Sequence, residues 1–170
     1  QTCALPIFTG DVNLAEGWST TKYMDQQENG IYDCLSANLV MELQGADILM
    51  VNNEYAYSDR GYPLPGKTYT FRAMPTRVQV LQQIGTDVVS LANNHVYDYG
   101  EDALLDTLET LENVGIPYVG AGRNLKEAEK IVYFIANGRK IAIVAATQIE
   151  RFESFTKEAE ENTPDRKSVV

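Results

Sequence analysis

The composition of this chain excludes several classes of protein before any motif is considered. Its 170 residues include 24 Asp and Glu against 14 Lys and Arg, which gives a net charge of -10 at pH 7. So acidic a chain lacks the basic side chains that displace counterions from a phosphate backbone, and we expect no nucleic-acid partner. An apolar fraction of 44% is typical of a folded globular protein, and no apolar run approaches the roughly 20 residues that span a bilayer.

Both ends of the sequence look foreign to the rest. Residues 1–7 and 165–170 read like translated adapters from a sequencing library, and we interpret them as not native. Residues 8–164 then form the native part, which is about the length of one domain or of part of one.

Apolar, strand-like runs alternate with helical patterns along the chain. This alternation predicts an α/β fold with a mostly parallel sheet. The predicted strands are Pro6–Val12, Asp47–Val51, Asp87–Ala92, Ile116–Val119, Ile131–Ile135 and Lys140–Ala145. The last two are joined by Asn137-Gly138, a strong hairpin signal.

The helices are predicted from apolar residues that recur on one face. Ile31, Leu35, Leu39 and Leu43 are spaced four residues apart, which predicts one continuous helix that ends near Gly45. Further helices are predicted from Pro75 to Ile84, with Val78, Leu81 and Ile84 buried, and from Glu101 to Val114, with four leucines on one side. Residues 13–30 and 54–70 lack such a pattern and are predicted to be surface loops.

Two segments of the chain have the same pattern, an apolar strand followed by two asparagines and a stronger metal-ligand type. A buried apolar strand ends in Asn52-Asn53-Glu54, and another ends in Asn93-Asn94-His95. The first predicted strand ends comparably, in Gly10-Asp11. Because the carboxyl ends of parallel strands meet at one edge of a sheet, where open α/β sheets bind ligands, we expect these side chains to line one crevice.

The residue types at these strand ends suit metal chemistry. Carboxylate and amide oxygens from Asp11, Glu54 and Asn94 suit hard or borderline divalent cations, and the imidazole of His95 completes the set. His95 is the only histidine, so these residues alone exclude a histidine-rich zinc site.

Each of these residues also has an ordinary structural interpretation. Asp11 fits a turn or helix cap, the paired asparagines fit left-handed turns, and Asp98 fits a cap for the helix that follows it. A single histidine is more often structural than catalytic. The recurrence of the same residue types at three separate strand ends favours a shared site.

Four segments resemble the poly-γ-glutamate capsule synthesis (CapA) family. They are Phe8–Asp11, Val51–Glu54, the run Ser90–His95 with the following Asp98-Tyr99-Gly100, and Gly115–Gly122. The resemblance implies a metallophosphoesterase-like β-sandwich flanked by helices, truncated here to an N-terminal half with a mostly parallel sheet and a C-terminal hairpin. It also implies that residues 8–164 are a partial CapA-like domain.

The same resemblance implies roles for the candidate residues. Asp11, Glu54 and Asn94 become ligands of divalent metal ions, two in number and of the manganese, iron or zinc type, and His95 becomes the catalytic residue beside them. Four more residues are expected to line the site: Asn13, Asn52, Asn93 and Asp98.

The sequence also departs from that family pattern. Asn53 stands where the family usually has Leu, and Asn13 stands where phosphoesterases of this fold usually have a histidine ligand. The further histidine motifs of the family are not found in this chain, so we expect half a site that binds divalent metal poorly and hydrolyses nothing.

The resemblance implies a role in capsule biosynthesis, for which two hypotheses stand. One is a metal-dependent hydrolase or transferase that acts on an anionic polymer or a phosphate-bearing small molecule. The other is a non-catalytic assembly or export factor that works with the capsule synthesis machinery. A nucleotide- or sugar-binding domain is a weaker third reading, suggested by Gly120-Ala121-Gly122.

Location and substrate charge are also matters of expectation. The family points to the outer face of the cytoplasmic membrane, with membrane attachment only through an N-terminal anchor absent from these residues. An acidic protein repels an anionic polymer unless metal ions or local basic residues intervene. Four cations near the Tyr-rich loop are candidates for a basic rim, although ordinary surface placement is the more frequent case: Arg60, Lys67, Arg72 and Arg77.

Overall fold

A computed structural model describes residues 3–148 and 159–166. The strands are β1 (Pro6–Val12), β2 (Ile48–Asn53), β3 (Ala56–Tyr57), β4 (Arg72–Ala73), β5 (Val88–Ser90), β6 (Tyr118–Val119), β7 (Ala121–Gly122), β8 (Val132–Ala136), β9 (Arg139–Ile143) and β10 (Asp165–Arg166). The helices are α1 (Ser19–Asp25), α2 (Ile31–Cys34), α3 (Ala37–Gln44), a 3-10 turn (Pro75–Arg77), α4 (Val78–Gln83), α5 (Glu101–Asn113) and α6 (Leu125–Ala128). Within these ranges no helix has both the length and the apolar character needed to cross a membrane.

The centre of the fold is a four-stranded sheet in the order β1-β2-β5-β6. All three of its strand pairs are parallel. The predicted α/β class with a mostly parallel sheet is therefore confirmed. The sheet brings the carboxyl ends of β1, β2 and β5 to the same edge.

The central strands read as continuous apolar runs because both faces of the sheet are covered. Leu49, Val51 and Val89 lie in the main core together with residues of α4 and α5. Ile48 and Val88, their neighbours along the strands, lie in a second core that includes residues of β8 and β9. Alternate side chains thus pack on opposite faces, as the period-two geometry of a strand requires.

The C-terminal hairpin forms as predicted. Strands β8 and β9 pair antiparallel, from Val132 opposite Ile143 to Ala136 opposite Arg139. The two turn residues have positive φ values of 49° at Asn137 and 73° at Gly138. Such a turn matches the right-handed twist of the strands, which is why Asn-Gly favours it.

Two of the predicted helices are also confirmed. In α5 the side chains of Leu104, Leu108 and Leu111 are fully buried. Pro75 starts the 3-10 turn that leads into α4, where Val78 and Leu81 are buried.

The continuous helix predicted from Ile31 to Leu43 is wrong. The segment breaks into α2 and α3, because the Ser36 side chain accepts a hydrogen bond from the Leu39 backbone and caps a new helix. Val40 and Leu43 face the core, whereas Leu39 is 44% exposed. The apolar residues spaced four apart therefore belong to two separate helices and do not form one continuous face.

The two predicted loops contain regular structure. Residues 13–30 include α1, whose Thr21 and Met24 are buried. Residues 54–70 are not simply a surface loop, because Tyr55 and Tyr57 at their start are fully buried and β3 pairs with β4. The hydroxyls of Tyr55 and Tyr57 lie 2.6 Å apart and satisfy each other, so both aromatic rings enter the core without an unpaired polar atom.

Candidate functional site

The structure brings the three predicted strand ends together through a chain of side-chain hydrogen bonds. Asp11 lies opposite Asn52 in the parallel register of β1 and β2. Asn52 Nδ2 donates to Asp11 Oδ1 at 2.6 Å, and Asn93 Nδ2 donates to Asn52 Oδ1 at 3.0 Å. These two bonds link residues that are 41 positions apart in each case. The crevice expected from the sequence is thus lined by a continuous row of hydrogen-bonded polar side chains, Asp11, Asn52 and Asn93.

Asn93 also shapes the turn that presents the histidine. Its Oδ1 accepts hydrogen bonds from the backbone N–H groups of His95 and Val96, each at 3.0 Å. Among the described non-glycine residues only Asn137 has a positive φ, so the paired asparagines do not serve left-handed turns. Asn93 instead ties the turn after β5 to the end of β2.

His95 is held on one edge and on one face. Its Nδ1 lies 2.7 Å from Asp98 Oδ2, and its ring centroid lies 4.2 Å from that of Phe71. The residue is only 9% exposed. Its Nε2 faces the carboxylate of Glu54, with 4.0 Å between Nε2 and Oε1. The ring is therefore fixed, and its free nitrogen points toward the acidic residues of the crevice.

Asp98 is buried and its oxygens are fully hydrogen-bonded, so the alternative interpretation of Asp98 as a helix cap does not hold. Oδ2 accepts from the Phe71 backbone N–H at 2.7 Å and also lies 2.7 Å from His95 Nδ1, and Oδ1 pairs with Lys67 Nζ. Helix α5 begins after Gly100 without any side-chain cap. Asp98 belongs to the site through its contact with His95.

Lys67 and Phe71 are site residues that sequence reasoning missed in these roles. Lys67 lies near the end of the segment 54–70, which was predicted to be a surface loop, and Phe71 follows that segment directly. Lys67 Nζ pairs with Asp98 and also donates to the backbone carbonyl of Asn94. No periodic signal marks either residue, and only the tertiary fold shows that this segment returns to the site.

Glu54 follows β2 and faces both Asp11 and His95. Its backbone N–H donates to the Val12 carbonyl at 3.1 Å, which anchors it beside the end of β1. Partial burial raises the pKa of the Glu54 carboxyl, and the nearby Asp11 carboxylate raises this pKa further, while His95 opposes the shift. Two carboxylates, those of Glu54 and Asp11, are thus close enough in the crevice to disfavour each other's charge.

The remaining predicted residues differ in how they relate to the crevice. The Asn94 side chain is half-buried and has no hydrogen-bond partner within the described part of the chain. Asn13 Oδ1 accepts from the Ala15 backbone N–H at 2.9 Å and so closes a local turn. Asn94 therefore has a free amide oxygen, whereas the oxygen of Asn13 is already used.

The donor set fits one part of a divalent metal site. Asp11, Glu54 and Asn94 supply the hard oxygen donors that such a cation prefers. Among residues 3–148 and 159–166, however, no group of three or more His, Cys, Asp and Glu side chains is arranged to hold a metal ion. Asp98 adds nothing to the donors because Lys67, His95 and Phe71 occupy its oxygens.

The basic rim suggested by the sequence does not form. Arg60 pairs with Asp106, Arg77 pairs with Asp25 and Glu16, and Lys67 is buried against Asp98. Arg72 donates to the backbone carbonyls of Arg60 and Gly61 and stacks on Tyr99 at 4.3 Å. Three of these four cations are paired with neighbouring carboxylates, and of the three only Lys67 also lowers the pKa of Glu54 in the crevice.

The fold and the site define an α/β protein that gathers two carboxylates, several amides and one histidine at the carboxyl ends of parallel strands. The chain matches the family described as "Bacterial capsule synthesis protein PGA_cap" over residues 7–169. It therefore belongs to that family, and the resemblance found in the sequence motifs is confirmed.

Several curated relatives are similar to part of the chain. The capsule biosynthesis protein CapA of Bacillus anthracis is 32% identical over 108 residues, which are 62% of this chain and 26% of the relative. The PGA biosynthesis protein CapA of Bacillus subtilis is 33% identical over 106 residues, 62% of this chain and 27% of the relative. A probable polyglutamine synthesis accessory protein of Mycobacterium tuberculosis is 31% identical over 111 residues, 65% of this chain and 29% of the relative. The chain thus aligns with less than a third of the length of these relatives.

Proposed function

We propose that this chain is part of a capsule biosynthesis protein that acts in the synthesis of poly-γ-glutamate or a related anionic polymer, and that its crevice is one half of a metal site. Membership of the capsule synthesis family supports the biological role. The observation that supports the site is the hydrogen-bonded chain from Asp11 through Asn52 to Asn93, whose Oδ1 accepts from the His95 backbone N–H. Glu54 lies next to this chain, with its carboxylate 4.0 Å from His95 Nε2.

In the proposed site, each residue has a distinct task. Asp11, Glu54 and Asn94 bind divalent ions, of the manganese, iron or zinc type, with further ligands from outside the described residues. A pair of bound divalent ions supplies charge stabilisation at a phosphoryl oxygen and lowers the pKa of a bound water. His95 Nε2 accepts a proton at the reacting centre and, once protonated, donates it to the substrate oxygen, and Asp98 keeps the ring in the orientation that this requires.

Manganese binding tests the metal half-site. Isothermal titration of the chain with Mn²⁺ should show weak binding that Asp11→Asn or Glu54→Gln removes, because each substitution deletes one of two carboxylates. Glu42→Gln, on the exposed side of α3, is the matched control and should bind as the unmodified chain does. Binding that survives both site substitutions would refute the proposed ligands.

A phosphatase assay tests whether the site in this chain is complete. With only part of the ligand set, the chain should not hydrolyse a generic aryl phosphate with Mn²⁺ present. Turnover by this chain that is lost in His95→Ala would show that the site is complete and would overturn the half-site proposal.

The non-catalytic alternative has one observation in its favour. The described residues contain no group of three or more metal-binding His, Cys, Asp or Glu side chains. In this alternative the protein keeps the fold to bind or export the polymer together with the capsule synthesis machinery. An Asp11→Asn substitution in the whole protein that leaves polymer yield unchanged would favour it over the enzyme.

The place of action is part of the same proposal. A capsule polymer is exported, so we propose that the whole protein works in the cell envelope, at the outer face of the cytoplasmic membrane. Accessibility of the tagged whole protein to added protease in intact protoplasts tests this location, and full protection would contradict it.

A further inference from the structure

We infer that Lys67 is a positioning residue that fixes the tautomer and orientation of His95 through Asp98 and the Asn94 carbonyl. The inference rests on the proposed function, because orienting His95 matters only if its Nε2 acts in that site. The geometry on which it stands concerns only residues of this chain.

The first step is the burial of the ion pair. The Asp98 side chain is fully buried and the Lys67 side chain is 13% exposed. A buried carboxylate needs a countercharge and hydrogen bonds, since isolated charges are strongly disfavoured in a protein interior. Lys67 is the cation paired with Asp98, and the Phe71 backbone N–H supplies a further donor.

The second step is the direction of the bond to histidine. Asp98 accepts from Lys67 and from the Phe71 N–H, and a carboxylate held by these donors has only acceptor capacity left. His95 Nδ1 must therefore carry the hydrogen that lies between it and Asp98 Oδ2, 2.7 Å away. Nε2 is left with a lone pair facing Glu54 in the neutral ring.

The third step is the hydrogen bond between Lys67 and the backbone of the turn that carries His95. Its ammonium group also donates to the carbonyl of Asn94, the residue between Asn93 and His95. One side chain thus holds both the acceptor that orients the ring and the backbone that carries it. Since Lys67 is 31 positions from Asp98 in sequence, the segment 54–71 is coupled to the candidate site.

The single histidine makes the test direct. A long-range ¹H–¹⁵N spectrum of this chain contains one imidazole, and its two nitrogen shifts report the tautomer. We expect a proton on Nδ1, together with an upfield displacement of the His95 carbon-bound protons caused by the Phe71 ring 4.2 Å away. In Lys67→Met we expect mixed tautomers and loss of most of that displacement, whereas Lys67→Arg should restore both.

Lys126→Met, on the exposed side of α6, is the matched control and should leave the His95 signals unchanged. A Lys67→Met protein that is folded by circular dichroism and keeps the wild-type His95 spectrum would overturn the inference. If Lys67→Met does not fold, the spectrum of the unmodified chain still tests the inference. We expect the Lys67 ammonium protons to exchange slowly with solvent and to show cross-relaxation to Asn94. Absence of these signals would refute the inference.

These spectra are recorded without metal or substrate. A chain that binds no Mn²⁺ can therefore still show the Lys67-dependent tautomer, and a failed metal site is distinguished from a failed positioning role.

Discussion

Single charged residues determine how this crevice is built. The buried side chain of Asp98 is surrounded by Lys67, the Phe71 N–H and the His95 ring, which satisfy its oxygens. Glu54 is less well compensated, since its nearest charged neighbours include the carboxylate of Asp11. The two acids therefore respond differently to substitution.

Replacing Asp98 should be strongly destabilising. Asp98→Ala leaves Lys67 buried without its countercharge, and breaking a buried pair in this way costs about 3–5 kcal/mol. Asp102→Ala is the control, because Asp102 is 63% exposed and its contact with Arg60 is 3.4 Å long; it should cost less than about 1 kcal/mol. Urea unfolding at pH 7 measures both, and equal losses would contradict the expected difference.

Replacing Glu54 should instead increase the free energy of unfolding, and the size of this effect should depend on pH. The folded state raises the pKa of Glu54, so the protonated form contributes stability at acidic pH that is lost as pH rises through the folded-state pKa. Glu54→Gln mimics that neutral form.

The Gln variant should accordingly be more stable than the unmodified chain at pH 7, by less than about 1 kcal/mol because the group is partly solvated. The difference should vanish as the pH falls towards about 4, near the ordinary glutamate pKa. Urea midpoints across this range measure it, and a variant that is less stable at pH 7 would contradict the sign.

At the scale of elements, turn chemistry is the most predictable feature. Asn137-Gly138 was recognised as a hairpin from sequence alone because few residues tolerate two successive positive φ values. The helix α5 was equally clear, since its leucines repeat with the helical period and three of the four, Leu104, Leu108 and Leu111, pack in one core.

Substitution of Gly138 tests the hairpin turn. A Cβ added there meets no atom within 4 Å, so Gly138→Ala carries only the backbone cost of φ 73°, about 1–2 kcal/mol. Gly10→Ala is the control, because a Cβ added at Gly10 also meets no atom within 4 Å but the φ of Gly10 is not positive. This substitution should cost less than about 1 kcal/mol. Thermal unfolding compares the two, and equal effects would argue against turn strain.

Two features were not predicted, one because a local helix cap interrupts the apolar spacing and one because its contact is tertiary. Leu35 and Leu39 continue an apolar spacing, but the Ser36 cap breaks the helix between them. Asp11, Asn52 and Asn93 were predictable as neighbours because parallel strands align their ends. Lys67 was not, because its partner Asp98 lies on a different loop and nothing local marks the pairing.

At the scale of the whole molecule, the net charge of -10 governs encounters with polyanions. Arg60, Lys67 and Arg77 are each paired with a carboxylate of the chain, which leaves less positive charge available to a polyanion. Binding of an anionic polymer therefore needs a bridging cation.

We expect fluorescently labelled poly-γ-glutamate to associate with the chain when Mn²⁺ is present and to dissociate when EDTA is added. Fluorescence anisotropy measures this, with labelled dextran as the uncharged control. Metal-independent association with poly-γ-glutamate would contradict the electrostatic expectation.

The strand order β1-β2-β5-β6 has a consequence for folding kinetics. Each neighbouring pair in this sheet is parallel, so none closes through a tight turn, and the bonds across its edge join residues 41 positions apart. Loop-closure entropy must be overcome before such distant pairings gain stability, which makes topologies of high contact order slow to fold. The crevice is thus assembled only when the three strands have docked, and a partly folded chain would have the β8–β9 hairpin before it has any candidate ligand in place.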